Sequence, residues 1–234
     1  MTYVISDLHG YPLEKLKKLL KKANFSSDDF LYILGDIIDR NGDGGVGILL
    51  WLLEQVNVQL ILGNHEAMLL SCDFVFDEIT EDSINAISSE KIELLNNYML
   101  NGGNATLKAL RNLPKNTQQD ILDYLRDCPL YEAVTANEKD FILVHSGFNS
   151  FNKNKKIRDY SSDDLLWARP ELDDKYYDDI TTVFGHTPTF SYGEEYKGKI
   201  IKTSTWIDID CGAAYGNDPI LLRLDDYKEF KLQL

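Results

Sequence analysis

A chain of 234 residues, 44% apolar and 26% charged, has the size and composition of one domain with one hydrophobic core, and we predict a single domain over residues 1–234. The formal net charge of −14 argues against a nucleic-acid or anionic-membrane partner, because both are bound by basic faces. No apolar run approaches the ~20 residues of a transmembrane helix, and three scattered cysteines without a C-x-x-C pair fit a reducing compartment, so we expect a cytoplasmic protein.

The first part of the chain alternates short apolar runs with helical patterns. Strands are predicted at residues 3–6, 30–34 and 58–62. Between them, the leucine spacing after Pro12 predicts a helix to residue 20, and residues 44–56 predict a second helix. This strand–helix–strand order predicts βαβ units and a partly parallel sheet.

The middle of the chain has a different pattern. Apolar residues at helical spacing predict helices that are broken at residues 101–103 and at Pro114. We therefore predict a helical cap region at approximately residues 70–130, inserted between strands and shaping access to the site. Further strands are predicted at 141–144 and 181–184, and in the tail from residue 200, where residues 206–210 alternate.

All four histidines lie in short motifs that directly follow a predicted strand. Ligands in open α/β sheets bind at the carboxyl ends of strands, so these motifs are expected to converge. A fifth motif has no histidine and supplies carboxylates and an arginine. The motifs are Asp7-Leu8-His9-Gly10, Gly35-Asp36-Ile37-Ile38-Asp39-Arg40, Gly63-Asn64-His65-Glu66, Val144-His145-Ser146-Gly147 and Phe184-Gly185-His186-Thr187.

These residue types are ligands for divalent cations, and their number suits two ions. Asp7 and His9 alternate around Leu8, so in an extended segment both side chains would point the same way. Asp36 has two carboxylate oxygens and can bridge two ions. The predicted ligands are Asp7, His9 and Asp36 for one ion, and Asp36, Asn64, His145 and His186 for the other. Two ions at ~3.5–4 Å can activate a shared water, which is the chemistry of phosphoester hydrolysis.

The remaining polar residues of these motifs have predicted roles in the reaction. Arg40 and Arg169 can neutralise the non-bridging oxygens of a phosphate, and together with Asn64 they form the predicted substrate-binding set. His65 is surplus to the ligand count and is predicted to protonate the leaving group as a general acid. Asp39 is predicted to orient His65 through a hydrogen bond.

The ordered motifs resemble the phosphoprotein phosphatase branch of the calcineurin-like metallophosphoesterases, nearest to the bacterial and phage-type serine/threonine phosphatases. Residues 144–147, 166–170, 184–187 and 209–213 match the later motifs of that group in order. The resemblance implies an α/β fold, a four-layer β-sandwich flanked by helices. It also implies two divalent metal ions, commonly Mn²⁺ with Fe or Zn as alternatives, and direct attack by metal-bound water or hydroxide.

One position departs from the family pattern. Asn41 stands where the family usually has glycine after the arginine. Asparagine tolerates left-handed backbone better than most residues, so the turn is expected to survive.

The motifs are compatible with three functions. The first is a metal-dependent phosphomonoesterase, a serine/threonine protein phosphatase acting on phosphorylated proteins or small phosphoesters. The alternative is a diadenosine-polyphosphate hydrolase on the same fold; such relatives usually lack the acid at Asp39 and often have Asp in place of Glu66, which favours the phosphatase. The third, a non-catalytic phosphate-binding module, is disfavoured because every predicted ligand, His65 and Arg40 are in place.

Overall fold

The fold is built from ten strands and seven helices in the part of the chain that the structure, a computed structural model, describes: residues 1–78, 80–81, 85 and 87–232. The strands are β1 Thr2–Ile5, β2 Phe30–Ile33, β3 Val58–Leu60, β4 Tyr131–Ala136, β5 Lys139–Val144, β6 Ile180–Phe184, β7 Ile201–Lys202, β8 Trp206–Asp208, β9 Leu221–Arg223 and β10 Lys228–Phe230. The helices are α1 Leu13–Lys22, α2 Val46–Leu52, α3 Asn64–Ser71, α4 Ser89–Leu100, α5 Asn104–Arg111, α6 Lys115–Arg126 and α7 Ser162–Leu166.

The strands form two mixed five-stranded sheets. One has the order β10-β9-β1-β2-β3 and the other the order β4-β5-β6-β8-β7. Each contains three consecutive parallel strands, β1-β2-β3 in the first sheet and β5-β6-β8 in the second. The parallel strands confirm the predicted partly parallel sheet and bring the carboxyl ends of each set to one edge.

Three apolar clusters separate four layers. The middle cluster packs the two sheets against each other, with Val4 and Leu222 from the first sheet and Leu143 and Val183 from the second. A larger cluster joins the outer face of the first sheet to α1–α6, and a third, rich in aromatic residues, covers the outer face of the second sheet. The α/β class and the sandwich flanked by helices are therefore confirmed.

Some element bounds differ from the predictions for identifiable reasons. The helix predicted at 44–56 is shorter, α2, because Gly44 and Gly45 adopt φ values of 66° and 77°, which are left-handed rather than helical. The strand predicted at 206–210 ends at Asp208, where the side chain accepts a hydrogen bond from Asp210 N and turns the chain.

The predicted helical region contains α4, α5 and α6, broken at 101–103 and before Pro114 as expected. Residues 79, 82–84 and 86 of that region lie outside the described residues. None of the helices in the described ranges is long and apolar enough to cross a membrane.

Candidate metal centre

The five motifs meet where the parallel strands of both sheets end. Backbone hydrogen bonds join the first two motifs directly: His9 N donates to Asp36 O at 2.9 Å, and Gly10 N donates to Ile37 O at 2.8 Å. The two sheets are joined across the site, because His186 N donates to Asp7 Oδ2 at 2.9 Å. The ligand-bearing loops are thus held together by their main chains as well as by side chains.

Left-handed backbone is concentrated at this site. Eleven non-glycine residues in the described part of the chain have positive φ, and six of them are predicted site residues, which indicates strain stored at a functional centre. These six are Asp7, His9, Asp36, Asp39, Arg40 and His186. The expectation of an extended Asp7–His9 segment is therefore wrong: φ is 51° at Asp7 and 41° at His9, and a turn rather than strand alternation orients both side chains.

One group of side chains that could hold a metal ion consists of His9, Asp36 and His65, all buried. Nε2 of His9 lies 3.6 Å from Oδ2 of Asp36, and Nε2 of His65 lies 3.9 Å from the same oxygen. Nδ1 of His9 is hydrogen-bonded to Ile38 O at 3.0 Å. That bond assigns the His9 proton to Nδ1 and leaves Nε2 with a lone pair directed at the site.

A second group consists of Asp36, His145 and His186, with Asn64 in contact. Oδ1 of Asp36 lies 3.5 Å from Nε2 of His145, so the two oxygens of Asp36 serve different groups. Oδ1 of Asn64 lies 2.9 Å from both Nε2 of His145 and Nδ1 of His186. The predicted ligands of the second ion are therefore close neighbours.

This donor set fits a cation. Nδ1 of His145 donates to Leu34 O at 2.7 Å, so a neutral His145 presents only a lone pair at Nε2. Burial lowers the pKa of His9 to about 3 and of His186 to about 2, and it lowers the pKa of His145 as well. The lone pair of His145 then faces the carbonyl oxygen of Asn64 at 2.9 Å, an opposition of two acceptors that a divalent cation would relieve.

Asp7 lies beside these groups without belonging to either of them. It is 1% exposed, and its Oδ1 accepts no hydrogen bond from the residues that the structure describes. Burial, with the nearby charges of Asp210 and Asp36, raises the pKa of Asp7 well above its usual range. A buried carboxylate oxygen without a hydrogen-bond partner is suited to bind a cation, which fits the predicted role of Asp7.

His65 and Asp39 form a buried pair. Nδ1 of His65 is hydrogen-bonded to Oδ2 of Asp39 at 2.7 Å, as the predicted orienting role requires. The other oxygen of Asp39 accepts hydrogen bonds from the hydroxyls of Tyr98, at 2.7 Å, and Thr106. Tyr98 and Thr106 come from α4 and α5 in the helical region, and no motif in the sequence indicated them.

The two predicted arginines line the same cavity as the ligands. This cavity, of ≈ 160 Å³, includes His9, Asp36 and His186 in its walls as well as Arg40 and Arg169. Nη2 of Arg40 lies 3.2 Å from Nε2 of His65, and Nη1 of Arg169 donates weakly to Thr187 Oγ1 at 3.5 Å. Neither arginine forms a salt bridge with any described residue, so no carboxylate ion pair neutralises the charge of either guanidinium group.

The departure at Asn41 does not require left-handed backbone. Positive φ occurs at Arg40 and Gly42 instead, with values of 65° and 56°. The side chain of Asn41 donates to Ala214 O at 3.2 Å and so ties this turn to the loop that carries Tyr215. Tyr215 is 62% exposed, lines the cavity and lies 5.8 Å from the Arg40 guanidinium.

The chain matches the family model described as calcineurin-like phosphoesterase over residues 2–203 and belongs to that family. This is the family that the ordered motifs of the sequence resemble.

Among curated proteins, it is 31% identical over 151 residues to a symmetrical bis(5'-nucleosyl)-tetraphosphatase of Actinobacillus succinogenes, which covers 63% of this chain and 44% of that protein. The Pasteurella multocida protein of the same description is 26% identical with the same coverage. The chain thus spans less than half the length of these relatives.

Solved structures share the fold. A crystal structure described as that of a candidate diadenosine tetraphosphatase superposes with a TM-score of 0.63 at 19% identity, covering 99% of this chain and 92% of that one. A protein serine/threonine phosphatase from Saccharomyces cerevisiae superposes with a TM-score of 0.59 at 14% identity, covering 100% and 80%. At these identities the likeness shows the fold alone.

Proposed function

We propose that this protein hydrolyses dinucleoside tetraphosphates at a two-metal centre. The similarity to symmetrical bis(5'-nucleosyl)-tetraphosphatases over 63% of the chain carries the substrate class. The sharing of Asp36 between two ligand groups supports the two-metal chemistry. The substrate class thus differs from the first prediction, which favoured a phosphoprotein on the basis of Asp39 and Glu66.

The proposed ligands are those predicted from the motifs. One ion takes Asp7, His9 and Asp36, and the other takes Asp36, Asn64, His145 and His186. When bound, two divalent ions acidify a water and neutralise phosphoryl oxygens, and Mn²⁺ is the proposed metal with Fe or Zn as alternatives. The lowered pKa values of the buried histidines support this assignment, because only neutral imidazoles bind metal.

The substrate phosphates are proposed to bind between Arg40 and Arg169. Both guanidinium groups face the ligand cavity without a salt bridge to a described residue. Asn64 begins helix α3, whose N-terminal amides add a partial positive charge at the same place. These groups give a phosphate a local positive environment on a chain of net charge −14.

A serine/threonine protein phosphatase remains the second candidate, because a specific observation favours it. The leaving group of an alkyl phosphoester is a basic alkoxide that needs a proton, whereas a nucleoside diphosphate leaves as a stable anion. His65, hydrogen-bonded to Asp39 at 2.7 Å, is placed to provide that proton. Rapid cleavage of anhydrides does not require this pair, but rapid cleavage of phosphothreonine does.

The test compares substrates on one preparation. Metal-stripped protein is reconstituted with Mn²⁺, Zn²⁺, Fe²⁺ or Mg²⁺ and offered diadenosine tetraphosphate, a phosphothreonine peptide and p-nitrophenyl phosphate. We expect Mn²⁺-dependent release of ADP with kcat/KM at least tenfold above that for the peptide. His186→Ala, which removes one ligand, serves as the inactive control.

A peptide preference of the same size would establish the second candidate. Absence of turnover on all three substrates, with metal bound, would revive the non-catalytic phosphate-binding module.

A further inference from the structure

A second cavity opens beside the metal centre. This apolar groove, of ≈ 650 Å³, is lined mainly by Leu62, Met68, Leu70, Leu94, Leu166 and Trp167. Its volume is within the range of cavities that bind small molecules, about 300–1,000 Å³. None of its apolar lining residues belongs to the proposed catalytic or metal-binding set.

The groove adjoins the site. Asn64, Asn101 and Trp167 line both the groove and the ligand cavity, so a molecule bound at the metals lies directly beside the groove. Trp167 stands at the junction, 45% exposed, with its ring 5.9 Å from that of His186 and at 89° to it. That edge-to-face contact leaves a face of the indole available for stacking.

The charge of the groove selects its occupant. Asp163 is the one charged residue among its described lining residues, and no lysine or arginine contributes to it. A further phosphate or an acidic peptide would be repelled there, so the part of the substrate that enters is not anionic. The cationic groups stay at the metals, in Arg40 and Arg169.

Polar side chains also line the groove, and they could form hydrogen bonds with the edge of a flat heterocycle. Leu94, Asn97 and Asn101 share one face of α4 and its C-terminal end, because they are spaced three and four residues apart. The Asn97 amide offers a donor and an acceptor beside apolar walls, and the Asn101 amide, whose Nδ2 donates to Asn97 O at 2.8 Å, offers its oxygen as an acceptor. This combination suits a nucleobase, which presents apolar faces and a polar edge.

We propose that the apolar groove is the base-binding subsite, in which the nucleobase of one nucleotide half stacks on Trp167 against Leu94 and Met68. The proposal rests on the proposed function, since it supplies the place for a nucleoside whose phosphates lie at the metals. It makes Leu94 and Trp167 specificity-determining residues.

The test measures binding without turnover. Calorimetric titrations of Mn²⁺-loaded protein with ADP and with inorganic phosphate give the ratio of the two affinities. Leu94→Gln is expected to lower the ratio of ADP to phosphate affinity about tenfold, since apolar contact with the base is lost. Ile92→Gln is the matched control: Ile92 is 50% exposed on the same helix but does not line the groove, and its ratio should stay within about twofold of the parent.

Trp167 gives an independent check. Trp167→Phe keeps an aromatic face and should retain most of the ADP preference, whereas Trp167→Ala should lose it. Equal ratios in the parent, Leu94→Gln and Trp167→Ala would overturn the groove assignment. So would a phosphothreonine peptide whose affinity falls with Leu94→Gln while that of ADP does not, since the groove would then hold peptide.

Different results would contradict the proposed function and the proposed base-binding subsite. Leu94-dependent binding of ADP by a protein that does not cleave diadenosine tetraphosphate would overturn the proposed function and keep the subsite. Rapid cleavage of diadenosine tetraphosphate, with no effect of Leu94→Gln on the ratio of ADP to phosphate affinity or on KM, would keep the proposed function and overturn the subsite.

Discussion

The histidines of the site differ in what their Nδ1 atoms contact. Nδ1 of His9 and of His145 faces a backbone carbonyl, whereas Nδ1 of His65 faces the carboxylate of Asp39. Burial lowers the pKa of His9 to about 3. Burial also disfavours charge on His65, but Asp36 and Asp39 outweigh it and raise the pKa of His65 above its usual value. His65 is therefore the imidazole best suited to carry a proton, which separates its proposed role from that of a ligand.

Replacing His65 should affect substrates according to their leaving groups. We expect His65→Asn to lower kcat for a phosphothreonine peptide by about 10²–10³-fold, because the alkoxide then leaves without a proton. The loss on p-nitrophenyl phosphate and on diadenosine tetraphosphate should be tenfold or less. Steady-state rates on the three substrates give this comparison, and an equal loss on all three would contradict the role of an acid.

Some residues of the site could be identified from the sequence, and others could not. Asp36, Asn64 and the histidines of the site were identifiable because motifs of fixed spacing carry them. Tyr98 and Thr106 were not, since they contact Asp39 across 59 and 67 residues of chain from a helical region without a motif. Only three-dimensional packing reveals such partners.

At the scale of the elements, Glu66 holds two motif loops in register. Its Oε1 accepts from the amides of Ile37 and Ile38, at 2.8 and 3.3 Å, and its Oε2 accepts from those of Asp36 and Gly63, at 2.9 and 3.1 Å. The loop after β2 and the start of α3 are thereby fixed around one buried carboxylate.

Removing the charge of Glu66 should destabilise the fold. In Glu66→Gln an amide NH₂ group faces backbone donors, and we expect the free energy of unfolding to fall by about 2–4 kcal/mol. Glu93→Gln replaces an exposed residue on α4, and its free energy of unfolding should stay within ~0.5 kcal/mol of that of the parent. Urea denaturation followed by circular dichroism measures both, and equal stability of the two variants would show that Glu66 does not hold the loops.

Substitutions at two glycines, Gly35 and Gly198, test how closely the loops after the strands approach each other. A Cβ on Gly35 would lie 2.5 Å from Nδ1 of His145 and 2.6 Å from Cα of Gly63, and φ there is 84°. Gly198 has a comparable φ of 66°, but a Cβ would meet nothing within 4 Å. Gly198→Ala should therefore cost about 1 kcal/mol of stability from backbone strain alone.

Gly35→Ala should cost about 3 kcal/mol or more, because overpacking adds to the same strain. It should also weaken metal binding by displacing His145. Thermal unfolding of both variants, with and without Mn²⁺, provides the comparison, and equal costs would mean that the approach of these loops does not matter.

The elements that the sequence predicts correctly are those with a clear apolar periodicity. The parallel strands and α1 were predictable because apolar periodicity decides them. The start of α2 and the turn at Asp7–His9 were not, because left-handed φ values decide both and apolar periodicity does not report φ. Tertiary hydrogen bonds, such as the one from His186 N to Asp7, hold these conformations.

At the scale of the whole molecule, two sheets deliver one half of the site each. Asp7, His9, Asp36 and Asn64 follow strands of the first sheet, and His145 and His186 follow strands of the second. Asp36 lies between the two groups, with Oδ2 toward His9 and Oδ1 toward His145. The central claim is therefore that one carboxylate joins two metal positions across the sandwich.

The number of metal ions bound per chain tests that claim most directly. Protein dialysed against Mn²⁺ and analysed by atomic emission should hold two ions in the parent and in His65→Asn, one in His9→Ala and in His186→Ala, and none tightly in Asp36→Asn. A parent with a single ion, or an Asp36→Asn variant that retains two, would contradict a shared ligand between two sites.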